Sequence, residues 1–213
     1  MSTPVDAVGE SRPLERDVLA DRASTVAPRL LGALLVHDVG GRPTVGRIVE
    51  VEAYRQTDPA SHSYRGRTPR TETMFGQPGH AYVYFTYGMH HCMNVSCEPD
   101  GTGAAVLLRS LAIIDGVDDA VARRGGRSDP RQLASGPGRL TQAMGIGPER
   151  DGDDLLGDGP LRLLRDDWRV PRGAVRQGPR TGVRDAPDRR WRWWVDDVRA
   201  VSPYRRHPQA PPP

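Results

Sequence analysis

The sequence contains no lysine, so each of its 30 basic side chains is an arginine. This absence excludes chemistry in which the amine of a lysine side chain forms a Schiff base with the substrate. Arginine instead offers a planar, permanently charged guanidinium that suits bidentate binding of phosphate. An arginine-rich composition can also follow from codon bias, so composition alone does not identify the partner.

Cysteines are few and long apolar runs are missing. The two cysteines, Cys92 and Cys97, are five residues apart in a predicted strand and face opposite sides, which excludes a local disulfide or a shared metal. We interpret them as buried thiols in a reduced compartment. No segment offers the roughly 18 consecutive apolar residues of a membrane span, and the N-terminal residues lack the apolar core of a signal peptide. We therefore expect a cytoplasmic, nucleoid-associated protein that does not bind membranes.

The length and the turn-forming residues bound the fold. A chain of 213 residues is long enough for one medium-sized domain, and its 24 glycines and 20 prolines predict many turns. Strand-like segments dominate, mostly without the helices that connect parallel strands. We predict a single α+β domain on a curved, mostly antiparallel β-sheet, with flanking helices and a protruding β-hairpin. Residues 13–203 should form this domain, between a flexible segment at 1–12 and a flexible proline-rich tail at 204–213.

Positive charge is concentrated toward the C-terminus. From residue 160 onward there are thirteen arginines against six aspartates and no glutamate, a net charge of +7. The whole chain carries +3, so the preceding part is net acidic at −4. A basic C-terminal third favours a polyanionic partner. A soluble arginine-rich surface explains the same charge equally well.

The segment "GRIVEVEAY" at residues 46–54 combines strand character with two carboxylates. Side chains alternate along a strand, so Glu50, Glu52 and Tyr54 should share one face. The acids could act as a general base with a neighbour, or as a glycosidase-type pair. An edge strand with a solvated face would also explain them. Arg109, which ends the apolar run "AAVLLR", could pair with either acid or face water.

Aromatic and histidine side chains cluster further along the chain. The aromatic residues between 82 and 87 suit either the packing of a hairpin core or stacking on bases. His90 and His91 are adjacent on a predicted strand and therefore point to opposite faces. Neither they nor His80 belong to a pattern of metal-ligand spacing. We predict no metal site and no cofactor.

Several blocks, in this order, resemble the alkyladenine (3-methyladenine) DNA glycosylase family. They are "GRIVEVEAY", "HS" beginning eight residues after its tyrosine, "TPRTETMF", "PGHAYVYFTYGMHHCMNVS", "AVLLRSL" and "SGPGRLTQAMGI". The resemblance runs from about residue 27 to 147 and continues more weakly through "RTGVRD" and "RWRWWVDDVRAVS" to about residue 202. It implies an enzyme of base excision repair that acts as a monomer on double-stranded DNA.

The resemblance also implies roles for residues around a flipped base. Glu52 would position and deprotonate the water that attacks the anomeric carbon, and Arg109 would hold that water and acid. The base would lie between Tyr54 and Tyr84. His62 would bond to an edge of the base.

Further roles follow from the same resemblance. Asn94 would line the pocket and clash with the exocyclic amino group of normal guanine. Tyr87, at the hairpin tip, would fill the gap left in the duplex. Arg139 and Arg180 match positions expected to contact DNA, and we assign both to phosphate binding. The family has small residues just after "GV", where this chain has Arg184, which leaves the pocket shape there open.

These implied roles agree with the chemistry of damaged bases. A base must leave the duplex before its glycosidic bond is accessible. Without lysine, an enzyme that releases the base should leave an abasic site and not cut the strand. The expected substrates are 3-methyladenine, 7-methylguanine, hypoxanthine and ethenoadenine. Two other functions remain open: a non-catalytic nucleic-acid-binding domain on the same fold, and a nucleoside N-glycosyl hydrolase that uses Glu50 and Glu52.

Overall fold

One antiparallel β-sheet organises the protein. The computed structural model describes residues 11–86, 88–126 and 129–212. The strands are β1 (Arg12–Pro13), β2 (Leu34–Val39), β3 (Arg42–Arg55), β4 (Ala81–Thr86), β5 (His90–Ser96), β6 (Ala104–Asp115), β7 (Ala134–Ser135), β8 (Leu161–Arg165), β9 (Val175–Gly178) and β10 (Arg192–Val195). All their pairings are antiparallel, which confirms the predicted α+β class on an antiparallel sheet.

Short helices flank this sheet. The α-helices are α1 (Arg16–Leu19), α2 (Ala23–Leu30), α3 (Val117–Arg123) and α4 (Pro137–Met144). The 3₁₀ helices are His62–Arg65, Pro69–Phe75, Pro130–Gln132 and Pro148–Arg150. None of the helices in the described ranges is long and apolar enough to cross a membrane.

The long strand β3 lies at the centre of the sheet. The strand order is β1-β8-β2-β3-β6-β5-β4, with β10 pairing with both β3 and β9, and β7 pairing with β6. Residues 42–47 of β3 pair with β2, whereas residues 50–52 pair with β10. This change of partner, added to the normal twist of strands, curls the sheet. The second half of β3 therefore brings Glu52 close to the C-terminal part of the chain.

The pairing of β3 with β6 is irregular around Glu50. The register shifts on both sides of this residue, and Val49 and Arg109 have no residue opposite them. Val49 packs in the hydrophobic core, whereas Glu50 bonds to both Arg109 and Ser110. Such a bulge redirects side chains at the cost of one pairing position. Here it directs two consecutive residues of β6 to one carboxylate.

The hydrophobic core lies on the opposite side of β3 from these acids. Helix α2 contributes an apolar face with helical spacing, formed by Ala23, Val26, Ala27 and Leu30. This face packs against β3 and β6, where Val51 and Ala53 are fully buried. The alternation predicted for residues 49–54 thus separates an apolar face from a face that carries the carboxylates.

Residues near the predicted segment boundaries also make contacts. In the tail predicted to be flexible, the Arg205 carbonyl accepts a hydrogen bond from Gly182 N (2.7 Å), and Arg206 pairs with Asp188. The proposed boundaries at residues 12 and 203 stay predictions. The projection of the β4–β5 hairpin also stays a prediction, because Tyr87 lies outside the described residues.

Candidate active site

A cleft of about 540 Å³ opens beside the end of β3. Its size is within the range of small-molecule sites in proteins. Its walls come from β3, β4, β5 and β6 and from the loops around residues 60 and 183. Five residues predicted from the sequence line it: Tyr54, His62, Tyr84, Asn94 and Arg109. The structure therefore brings these residues together around one space.

Glu52 is fully buried and contacts residues that line the cleft. Its Oε1 accepts a hydrogen bond from Thr181 N (2.7 Å) and lies 3.3 Å from Arg109 Nη1. Its Oε2 accepts a hydrogen bond from the Tyr54 hydroxyl (2.8 Å). Since a carboxylate has about four acceptor positions, these three described contacts leave room for one more donor. All three partners line the cleft, so that position is next to the cleft.

Glu50 has a different environment, although it is also fully buried. Its Oε1 accepts from Arg109 Nε (2.9 Å), Arg192 Nε (2.7 Å) and Ser202 Oγ (2.9 Å). Its Oε2 accepts from Ser110 Oγ (2.7 Å) and Ser202 N (2.7 Å). Burial raises the pKa of Glu50, but the two arginines and these hydrogen bonds outweigh it, so the net pKa is lowered. Glu50 is therefore ionised, and hydrogen bonds fill the acceptor positions of its carboxylate.

Arg109 connects the two carboxylates. Besides its contacts with Glu50 and Glu52, its Nη2 donates to Ser202 Oγ (3.1 Å). Burial lowers the pKa of Arg109, but the charges of Glu52 and Glu50 raise it above its ordinary value. The guanidinium therefore stays cationic and holds Glu52 in place from one side. Both carboxylates that were candidate partners of Arg109 are in contact with it.

The aromatic wall of the cleft contains His62 against two tyrosines. His62 Nδ1 lies 3.0 Å from the Tyr82 hydroxyl, and its ring meets Tyr84 edge-on at 4.5 Å between centroids. Partial burial, followed by the charge of Arg70, lowers the pKa of His62. A neutral imidazole offers one donor and one acceptor. Asn94 is held in this wall by a hydrogen bond from Nδ2 to the Tyr82 carbonyl (3.1 Å).

Arg180 lies behind Tyr54. Its guanidinium is 4.6 Å from the centre of the Tyr54 ring, and its Nη2 donates to Asp58 Oδ1 (3.1 Å). Arg180 is only 1% exposed, and Asp58 is fully buried. This placement does not fit the phosphate contact predicted for Arg180, because a buried, paired guanidinium cannot reach a phosphate at the surface. Arg180 instead makes a cation–π contact with the Tyr54 ring.

Two other predicted residues lie elsewhere or outside the described residues. Arg139 is exposed in the first turn of α4 and does not line the cleft. Its contact with phosphate stays a prediction. Tyr87 lies outside the described residues. Arg184, at the position where the resemblance implied a small residue, lines the cleft and changes its wall there.

Several residues at the site were missed by sequence reasoning. Thr181 and Ser202 belong to the weakly matching blocks "RTGVRD" and "RWRWWVDDVRAVS", which was the available signal. Their contacts join them to Glu52 and Glu50 over 129 and 152 residues of sequence, and no local pattern indicates such pairings. His207 and Gln209 also line the cleft, from a segment predicted to be a flexible tail.

Comparisons with known proteins identify the family. The family model described as methylpurine-DNA glycosylase (MPG) matches residues 17–199. A relative from Streptomyces avermitilis is 48% identical over 205 residues, covering 94% of this chain and 96% of the relative. A relative from Burkholderia lata is 51% identical over 184 residues, covering 85% of this chain and 87% of the relative. A relative from Chlorobaculum tepidum is 45% identical over 190 residues, covering 88% of this chain and 88% of the relative. All three carry 3-methyladenine DNA glycosylase as a provisional name. The chain therefore belongs to the methylpurine-DNA glycosylase family of DNA repair hydrolases.

Proposed function

We propose that this DNA glycosylase is monofunctional and acts on alkylated or deaminated purines in double-stranded DNA. The base is flipped into the cleft, and a water activated by Glu52 hydrolyses its N-glycosidic bond, which leaves an abasic site. The substrate class includes 3-methyladenine, 7-methylguanine, hypoxanthine and ethenoadenine. The observation that carries this proposal is the buried Glu52 carboxylate, whose three described partners line a cleft with aromatic walls.

Base binding is supported by the composition of the walls. Extrusion of a base costs a few kcal/mol, and stacking on an aromatic side chain contributes about 1–3 kcal/mol per base. Tyr54 and Tyr84 both line the cleft and are proposed to stack on the base. A purine alkylated at N3 or N7 is cationic, which strengthens stacking on a tyrosine. His62 and Asn94 are proposed to read the edges of the base, and Tyr87 is proposed to fill the gap in the duplex.

In the proposed reaction, Glu52 accepts a proton from water while the water oxygen bonds to C1′ of the sugar. The electron pair of the N-glycosidic bond leaves with the base. Arg109, the Thr181 amide and the Tyr54 hydroxyl all contact the Glu52 carboxylate and orient it. A cationic alkylated purine becomes neutral as it leaves, so it needs no proton. Hypoxanthine leaves as an anion unless it gains a proton, and a hydrogen-bond donor stabilises that anion.

Observations at the site disfavour the two other functions. A nucleoside hydrolase that uses both acids would need Glu50 to be accessible, but Glu50 is fully buried and accepts five hydrogen bonds. A domain that only binds nucleic acid has no need for a fully buried acid whose partners line a cleft. The absence of lysine supports an enzyme that does not cut the strand, because no lysine amine can attack the abasic sugar.

The test is release of the base in a single turnover from a duplex that contains one hypoxanthine or one ethenoadenine. We expect Glu52→Gln to lower the rate by about 10²–10⁴-fold, the typical contribution of a general base. Glu149→Gln is the matched control, because Glu149 is exposed and outside the cleft. Abasic sites are detected by alkali, and an untreated aliquot reports direct cutting of the strand.

Each part of the proposal can fail separately. If Glu52→Gln releases the base at the wild-type rate, the proposal that Glu52 activates the water is contradicted. Cutting in the untreated aliquot would contradict monofunctional chemistry. Equal activity on the free nucleoside would favour a nucleoside hydrolase, and duplex binding without release from these substrates or from methylated DNA would favour a binding domain.

A further inference from the structure

Residues 205–209, here called the strap, form part of the cleft wall. The family match ends at residue 199, so the strap lies beyond the part of the chain that the family model describes. His207 and Gln209 nevertheless line the cleft, together with Thr181, Gly182 and Arg184. A base in the cleft would therefore face side chains from the strap as well as those from β3, β4 and β5.

The strap is attached to the loop that holds Glu52. Gly182 N donates to the Arg205 carbonyl (2.7 Å), and Arg206 Nη1 donates to Asp188 Oδ1 (2.6 Å). The Gly182 amide is adjacent in sequence to Thr181, whose own amide bonds to Glu52. A backbone hydrogen bond and an ion pair thus fix the strap beside the reacting end of the cleft.

The backbone of the strap sets the proton position on His207. Gln209 N donates to His207 Nδ1 (3.1 Å), and Ala210 N donates to the His207 carbonyl (3.0 Å). Because Nδ1 accepts a hydrogen bond, the proton of the neutral ring is on Nε2. The neutral ring of His207, a residue that lines the cleft, therefore carries its one N–H donor on Nε2.

We propose that the strap is part of the base-recognition site and that His207 determines specificity by donating a hydrogen bond from Nε2 to neutral purine lesions. This inference rests on the proposed function. As the glycosidic bond breaks, a neutral purine accumulates negative charge on its ring nitrogens and exocyclic oxygen. A donor at the cleft wall stabilises that charge. A cationic alkylated purine develops no negative charge, so it gains little from His207.

The experiment compares the two lesion classes in single turnovers at saturating enzyme. One substrate is a duplex with a single hypoxanthine, and the other is a methylated duplex with labelled methyl groups on its cationic bases. We expect His207→Ala to slow the release of hypoxanthine about tenfold, the effect of one lost hydrogen bond in the transition state, and the release of methylated bases less than about twofold. His207→Gln keeps an N–H donor and should recover part of the hypoxanthine rate.

Two further variants separate the strap from general effects of charge or folding. Arg206→Ala removes the ion pair with Asp188 and should shift the ratio of the two rates in the same direction as His207→Ala. Arg172→Ala removes an exposed arginine outside the cleft and should leave the ratio unchanged. Thermal melting of each variant reports whether the fold is retained.

The outcomes distinguish this inference from the proposed function. If the wild type releases both kinds of base and His207→Ala leaves the ratio unchanged, the role of His207 is overturned. An equal loss of rate on both substrates in His207→Ala would also overturn that role, because the strap would then act as a structural support and not in specificity. If the wild type releases neither kind of base while Glu52→Gln behaves identically, the proposed function itself fails.

Discussion

At the residue scale, Glu50 and Glu52 have different hydrogen-bond partners, although they are two positions apart on one strand. Both are fully buried, which is costly for a carboxylate unless it is paired and hydrogen-bonded. Glu50 is satisfied by five donors and fixes the arginines that surround it, whereas Glu52 has three described partners that line the cleft. The number of described donors thus separates an acid whose acceptor positions are filled from the acid that we propose as the general base.

The support of Tyr54 by Arg180 yields a prediction at the same scale. Arg180→Met should slow excision, because the Tyr54 ring loses the guanidinium behind it. The free energy of unfolding should fall by about 3 kcal/mol, since buried Asp58 loses the Arg180 ion pair and keeps the one with the half-buried Arg189. The slope of log Kd against log salt for duplex DNA should not change, because no phosphate contact is lost.

Arg139→Met provides the comparison for Arg180→Met. Arg139 is exposed and is the predicted phosphate contact, so its removal should reduce the magnitude of that salt slope by about 0.9 and leave the melting temperature nearly unchanged. A reduced slope for Arg180→Met, with unchanged stability, would restore the original prediction that Arg180 contacts phosphate.

At the element scale, β3 shows which parts of the site can be predicted from sequence. Alternation along residues 46–54 predicted the face that carries Glu50 and Glu52, because strand geometry is local. The bulge opposite Glu50 could not be predicted, because it depends on the pairing with β6. Arg109 was a predicted partner of Glu50, but Arg192 and Ser202 were missed, since they are 142 and 152 residues away in sequence. The resemblance assigned Arg180 to phosphate binding, because sequence shows the charge of a side chain but not its burial.

The turn that carries His62 depends on close packing under it. Gly103 lies just before β6, and a Cβ there would be 2.5 Å from Phe75 Cζ and 2.6 Å from Ser63 Cβ. Ser63 belongs to the 3₁₀ helix that begins at His62, and its hydroxyl donates to the Gly103 carbonyl (2.7 Å). Gly103→Ala should therefore destabilise the protein by about 1–3 kcal/mol and slow excision, because the turn must move away.

Melting temperature and single-turnover excision test this prediction together. Gly76→Ala is the matched control, since a Cβ there would meet its nearest neighbour, the Thr73 carbonyl oxygen, at an ordinary 3.8 Å. If Gly103→Ala melts and reacts like Gly76→Ala, the packing at residue 103 does not hold His62 in place.

At the scale of the whole molecule, the two faces of the central sheet have different functions. Helices α2 and α4 contribute to the apolar core, while the carboxylates of β3 lie on the other side with the C-terminal part of the chain. The site therefore draws on residues from Glu50 to Gln209. Its assembly requires the complete sheet, so the stability of the whole protein and the geometry of the site are linked.

A buried histidine makes that stability depend on pH. His37 on β2 is 4% exposed, and its Nδ1–H donates to the Met144 carbonyl at the end of α4 (2.8 Å). Burial is the largest influence and lowers the pKa of His37 from 6.5, with Arg150 and Arg123 acting in the same direction and the Met144 bond opposing them. Below about pH 6.5 the unfolded chain therefore binds a proton that the folded protein does not, and the free energy of unfolding falls as pH falls.

His37→Gln should flatten this dependence, because glutamine has an N–H donor for the Met144 carbonyl but does not titrate. Urea unfolding near pH 7.5, 6.5 and 5.5 measures the effect, which for one group cannot exceed about 1.4 kcal/mol per pH unit. The pKa of His62 is also lowered, but this residue is present in both proteins and its contribution cancels. His90→Gln, at an exposed position, controls for the loss of an imidazole. Equal slopes in the wild type and His37→Gln would show that another group carries the sensitivity to acid, since only a group that titrates differently in the two states can produce it.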